Sequence, residues 1–518
     1  MKRISYILLT LVLASGCDKK LDISNPNAQT TTGYWQNQQQ AIAGVTAIYN
    51  GLITDGAYMR SFPGLTDSRG DDFVGDSPWP DLELTGKFII PDNSAPVQWI
   101  WRDFFIMVWR ANQVLTNVEP MGEGVLNQEL KGRLLGQAYF LRGLAYFNLA
   151  TTFKTVPLIT TLPQDQNDYY PPSASEEALW AQIFSDFEMA ENMLPVSYAS
   201  VSGPDQGQIG RATKGAAAGM LGKSYLYRKN WQKAADQFNK FINGPLKGVY
   251  SLMPDYRDNF KPTGENNAES LFEVQFGTPG EVGGTLMNWT GEPNSNWKQV
   301  NAIAVTYGMD GKGFSDYLPT RWIYNEYKQE PTKDGKIDSR LFATIASYEP
   351  TEGRTTAYGV PWPNPQDRIY PRKYTNDGLG KEFEDFDSGI NYRVLRYADI
   401  LLMHAEALNE LGQTAAAYPF IQQVRDRANL PDLSTVRPGM SQEQMRDQIA
   451  HERALEFAIE GQRINDIIRW GWLYDPAKLA MLRQRDADFN SWTPGNEYLP
   501  IPQSELVVNK NLSTNPAN

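Results

Sequence analysis

Apolar and small side chains recur at helical intervals through most of this 518-residue chain, and that pattern excludes any fold built mainly from strands. In the stretch after Arg396 such groups fall at 397, 400, 401, 404, 408 and 411, one face of a 3.6-residue repeat. Similar patterns predict helices over 38–52, 97–118, 126–152, 176–193, 214–227, 231–242, 397–411, 415–427, 441–459 and 462–470. The predicted class is therefore all-α dominated.

The helices pair. Leu221, Gly222, Tyr225, Ala234 and Phe238 keep the spacing L-G-x2-Y followed by A-x3-F that marks a tetratricopeptide (TPR) helix hairpin. The small residues let two helices approach, and the rings fill the gap between them. Ala405, Leu408, Ala417 and Ile421 repeat the spacing more loosely. Between about 250 and 395 Gly, Asn, Pro and aromatic residues crowd together, which predicts long loops with short strands such as 270–276. A second loop is predicted over 62–96. Long loops on a rigid helical body usually carry function.

The 60 acidic residues outnumber the 48 basic ones, and no dense Lys/Arg cluster marks a nucleic-acid surface. One cysteine, Cys17, cannot form a disulfide within the chain, and two histidines, His404 and His451, are too few for a His/Cys metal site. Residues 1–17, MKRISYILLTLVLASGC, read as a charged start, an apolar run too short to span a bilayer, and small residues ahead of that cysteine. They resemble a bacterial lipobox, with Ala14 where Leu is usual. Cleavage before Cys17 would leave its thiol for lipidation, and the polar stretch 18–32 would tether the body to the lipid.

Several motifs then resemble one family, SusD/RagB, in order along nearly the whole chain. GYWQNQQQAIAGVTAIYNGL is similar to its first helix. GQAYFLRGLAYFNLATTFKTVPLIT is similar to its second conserved helix, although Phe153-Lys154-Thr155 replaces the usual Tyr-Gly before Val-Pro. YRVLRYADILLMHAEALNELG and HERALEFAIEGQRINDIIRWG follow, and YLPIPQSELVVNKNLSTNPAN resembles the closing motif, with Thr514 in place of Gln. The resemblance implies TPR-like helix pairs in a right-handed superhelical scaffold, with loops grafted on one side. It divides the chain into a signal peptide (1–16), a lipidated tether (17–33), an N-terminal helical region (34–250) and a C-terminal region with ligand-facing loops (251–518), the last two packed as one body. It further implies an outer-membrane lipoprotein at the cell surface of a Bacteroidetes-type bacterium. Such a protein captures a glycan for a SusC-like TonB-dependent transporter, without a cofactor; one branch of the family captures peptides instead.

Glu452, Glu456 and Glu460 share a helix face, as paired carboxylates of a glycosidase would. Arg453, Arg463, Asp466 and Arg469 surround them in sequence, so an ion-pair and hydrogen-bond network is the expected reading, with a surface polysaccharide hydrolase as a second alternative. His404 is expected in the core, and Asp71-Asp72 is expected to be solvated or ligand-binding more than calcium-binding. A sugar offers an apolar C–H face to Trp or Tyr and a hydroxyl rim to planar polar groups. The candidate ligand contacts are therefore Asp67, Arg69, Asp72 and Trp79 in the first loop, Trp289 and Trp297 in the second, and Tyr358 and Trp362 in the third. Trp99, Trp101, Trp109, Trp180, Trp231, Trp322 and Trp470 lie in helical patterns and are expected in the core.

Overall fold

In the computed structural model, residues 31–277, 300–363, 365–380, 386 and 388–513 are described. The predicted helices form close to the expected bounds: α1 (Gln38–Asn50), α2 (Ala95–Val118), α3 (Gln128–Phe153), α4 (Glu176–Met193), α5 (Lys214–Tyr227), α6 (Trp231–Ile242), α7 (Tyr397–Glu410), α8 (Thr414–Arg427), α9 (Gln442–Phe457) and α10 (Arg463–Arg469). Their starts are chemically marked. Asn37, Asn127, Ser175, Thr213 and Ser441 each accept a backbone N–H of the first turn, and Ser441 with Gln444 completes a capping box.

Successive helices stack on one another, α2 on α3, α3 on α4, α4 on α5, α5 on α6, α6 on α7 and α7 on α8. Lying between α2 and α4, α3 is buried on nearly every side from Leu130 to Phe153. The α5–α6 hairpin closes as its spacing requires. A Cβ added at Gly222 would sit 2.5 Å from Cε1 of Phe238, so only hydrogen fits there. In the second pair Ala405, Ala417 and Ile421 are fully buried and Leu408 half-buried. The main apolar core runs from Ala41 to Ile501, so residues on both sides of position 250 contribute to it.

Short antiparallel pairs close the loop-rich side: β1 (Phe73–Gly75) with β3 (Tyr317–Pro319), β2 (Ser270–Val274) with β8 (Tyr392–Arg396), β4 (Ile345–Ala346) with β7 (Tyr370–Pro371), and the hairpin of β5 (Thr356–Ala357) with β6 (Val360–Pro361). The segment 62–96 is not the continuous loop expected. It contains helices Ser61–Asp67 and Pro80–Gly86, and further short helices occupy Arg321–Gln329 and Ser339–Thr344. These are too short, and too rich in Gly, Pro and polar residues, to show a helical period.

A buried ionic lattice locks the C-terminal helices. Glu456 accepts from Arg396 Nη1 at 3.0 Å, Arg340 Nη1 at 3.4 Å and Arg427. Glu460 receives Arg396 and Lys373, and Glu452 receives Arg340 at 2.6 Å. Burial alone would raise the Glu456 pKa, but Arg427, Arg396 and Arg340 outweigh it and hold it down at about 2. Each glutamate is closed off from solvent, so the row is a structural network and not an accessible catalytic pair. His404 is buried against Phe238 and Phe420, and burial pushes its pKa down to about 4.

Candidate ligand-binding face

The first predicted loop meets the segment 310–320 across the β1–β3 pair, and β7 packs beside β3. Backbone bonds fix the junction: Asp76 N–H donates to Asp316 O at 2.8 Å, and Thr320 N–H to Asp72 O at 2.8 Å. Arg368 then bridges them by side chain, donating to Asp76 at 2.9 Å and pairing with Asp310 at 3.3 Å. Tyr370 donates to the same Asp310 at 3.3 Å. All three charged groups are partly exposed, so the face carries a planar guanidinium between two carboxylates within reach of solvent.

Aromatic groups frame this clamp. Phe314, between the left-handed turn at Gly311 and the positive-φ Ser315, is 48 % exposed and meets Phe386 edge to face at 5.4 Å. Trp79 is half-buried beside Trp99 at 6.0 Å, under the Arg60 guanidinium at 5.8 Å. Phe314, Asp76, Asp310 and Arg368 were not singled out by sequence reasoning. A lone aromatic between glycine turns, GKGFS, was the available signal for Phe314. For the other three no local signal exists, because their meeting depends on strand pairing.

The expected contacts in the first loop lie elsewhere. Asp67 is buried and accepts from Tyr307 Oη and from the Gly461 N–H, both at 2.7 Å; burial raises its pKa to about 7. Arg69 is buried and donates to the carbonyls of Leu65 at 3.0 Å and Glu497 at 2.7 Å. Asp72 is buried too, with one carboxylate oxygen unpartnered; burial and its neighbour Asp71 push its pKa well up. Asp71 is likewise not solvated but clasped by Arg463 and Arg485. These four groups are enclosed where the helix Ser61–Asp67 and the following turn meet the C-terminal region.

In the third loop Tyr358 and Gly359 form the two-residue turn between β5 and β6, both with positive φ, the twist a tight hairpin demands. The Tyr358 N–H donates to Asp377 at 2.7 Å. The Tyr358 and Trp362 rings are buried with Tyr370, Ala346 and Met309 in a small apolar cluster, so they pin the hairpin. Trp289, Trp297 and Cys17 lie outside the described residues. Of the helical tryptophans, Trp101 and Trp180 are buried as expected, Trp99, Trp231, Trp322 and Trp470 are half-buried, and Trp109 is exposed. Among the described residues no cluster of three or more His, Cys, Asp or Glu is arranged to hold a metal ion.

Two family models match the chain, "SusD family" over residues 268–517 and "Starch-binding associating with outer membrane" over 19–226. The chain belongs to the SusD/RagB family. SusD-like protein P25 of Formosa agariphila is 25 % identical, covering 92 % of this chain and 91 % of its own. SusD-like protein P2 of the same organism is 25 % identical over 99 % of this chain and 98 % of its own. A crystal structure of a SusD superfamily protein from Bacteroides vulgatus superposes with a TM-score of 0.80 at 28 % identity, covering 93 % of this chain and 99 % of that one. A SusD-like protein described as laminarin-binding superposes with a TM-score of 0.73 at 27 % identity, covering 93 % of this chain and all of its own. The helix-rich body with few short strands is thus the SusD architecture, and its loop face is the candidate ligand surface.

Proposed function

We propose that this SusD-family protein captures an oligosaccharide on the loop face and hands it to a SusC-like TonB-dependent transporter, held at the outer membrane by a lipid on Cys17. One observation carries the binding part: an exposed ring, Phe314, directly follows Gly313, which bridges to Asp310 of the Arg368–Asp76–Asp310 clamp. A pyranose needs both elements, since its C–H face packs on a ring while vicinal hydroxyls donate to a carboxylate and accept from a guanidinium. The half-buried Trp79 extends the aromatic edge, and Trp289 and Trp297 are proposed to complete it. The laminarin-binding relative supports a glycan as cargo. The glutamates whose spacing suggested a hydrolase, Glu452, Glu456 and Glu460, are instead buried in the ionic lattice away from this clamp.

Calorimetry of the purified protein against a panel of neutral glycans and a peptide mixture tests this reading. Binding of one glycan, weakened about tenfold by Phe314→Ala with an unchanged melting temperature, is the expected result. Saturable binding of peptides in preference to every glycan would replace it with a peptide-capturing lid.

A further inference from the structure

A cavity of about 470 Å³ opens on a different part of the molecule, between the start of α6, the end of α7, the outer side of α9 and the turn after α10. It shares no lining residue with the loop face. Two half-buried rings, Trp231 and Trp470, line it. At one side of Trp470 the buried Glu406 carboxylate accepts the indole N–H at 2.9 Å and both terminal nitrogens of Arg469. Arg469 is held in turn by Asp466 at 2.8 Å. This arrangement fixes the indole plane and leaves the carboxylate one acceptor direction, and the guanidinium one N–H, without a protein partner.

Of the other lining charges, Arg446 pairs with Glu410 at 2.6 Å and Lys478 with Asp447 at 2.6 Å, and Lys229, Glu443 and Asp475 complete the set. Five carboxylates against four cations make the lining nearly neutral and slightly acidic, which disfavours phosphate or a polyanion. The volume falls in the range of about 300–1,000 Å³ that suits small ligands and is concave where a protein docking surface would be flat. The Trp470 indole is covered by the Arg469 guanidinium at 4.7 Å and packs against Trp472 at 5.1 Å, so Trp231 is the ring left for stacking, and the spare donor and acceptor match a hydroxyl group, which donates and accepts at once.

We propose that this cavity is a second saccharide-binding site, separate from the loop face, for a short neutral glycan segment that stacks on Trp231 and lies along the remaining exposed part of Trp470. A polymer held on the loop face would then be gripped at two points, and each grip would raise the apparent affinity of the other. The ligand class follows from the cavity's own groups and does not depend on the loop-face reading.

Saturation-transfer NMR on the full protein tests the site with short laminari-, malto-, manno- and xylo-oligosaccharides. Phe314→Ala disables the loop face, Trp231→Ala removes a ring, and Asp447→Trp fills the cavity from an exposed position on α9. Expected is a signal from at least one oligosaccharide that survives Phe314→Ala and falls about tenfold with Asp447→Trp and with Trp231→Ala. Should Trp231→Ala fail to fold, Asp447→Trp alone decides. Signals untouched by Asp447→Trp for every oligosaccharide, or abolished entirely by Phe314→Ala, would overturn the second site. So would displacement from the cavity by peptides but by no sugar.

Discussion

Glu456 shows how a single residue can look catalytic in sequence and be structural in space. Its carboxylate is fully enclosed by Arg396, Arg427 and Arg340, all reaching it from other segments. Removing the charge takes one shared carboxylate from three buried guanidinium groups, which keep Asp338, Glu452, Glu269 and Glu460 as partners but leave the interior with excess positive charge, so Glu456→Gln is expected to destabilise the protein by about 3–5 kcal/mol at neutral pH, read by chemical denaturation. The pH dependence has a definite sign. The folded pKa lies near 2, below the ordinary glutamate value of 4.5, so this carboxylate contributes stability above that unfolded value and loses it as pH falls from there to about 2. The variant should therefore show a shallower loss of stability across that acid window; a slope equal to wild type would remove the assigned role. The same reasoning separates two tryptophans. Trp362 is buried in the hairpin cluster and Trp79 is half-buried on the face, so Trp362→Ala should lower the melting temperature and Trp79→Ala should weaken glycan binding first. The opposite pattern would mean that the hairpin is not held by its cluster.

At the scale of elements, the α5–α6 hairpin is the most exposed to test. Gly222 lies against Phe238 with no room for a methyl group, so Gly222→Leu must move the Phe238 ring or the helix. A loss of about 1–3 kcal/mol is expected, measured as a lower denaturation midpoint at unchanged slope. A midpoint equal to wild type would show that the two helices do not need this contact. That hairpin was legible in the sequence because a helix pair writes its packing into local spacing, and the long helices were legible for the same reason. The loop side was not. The stretch FPGLTDSRGDDF reads locally as a polar turn, yet Asp71 is satisfied by Arg463 and Arg485, and Arg69 by the Glu497 carbonyl, all roughly four hundred residues away. No local pattern reports such partners. The Arg368 clamp was invisible for the same reason, whereas Phe314 left a faint trace in its flanking glycines. Trp231 and Trp470 sit on helices, where the periodicity marks them as packing residues and conceals that each keeps part of a ring facing the groove.

For the molecule as a whole, the loop face matters only if the body is held at the membrane beside its transporter. Among the described residues no helix is long and apolar enough to cross a bilayer. The proposed attachment therefore rests on Cys17, the single cysteine, placed at the end of a short apolar segment. Several acyl chains there would supply a stable anchor, since each buried methylene contributes about 0.8 kcal/mol and one chain alone holds only weakly. Residues 18–32 would act as a polar leash that lets the loop face turn towards the barrel. Cys17→Ala removes the proposed lipid attachment point. The variant is expected in the soluble fraction, with the melting temperature and glycan affinity of the lipid-free wild-type body, while cells carrying it lose growth on the cognate glycan. Retention of Cys17→Ala in the detergent phase would place the anchor elsewhere. Normal growth with the protein fully released would show instead that capture by the transporter does not require tethering, and would separate the binding role of this SusD-family protein from its proposed position over the transporter.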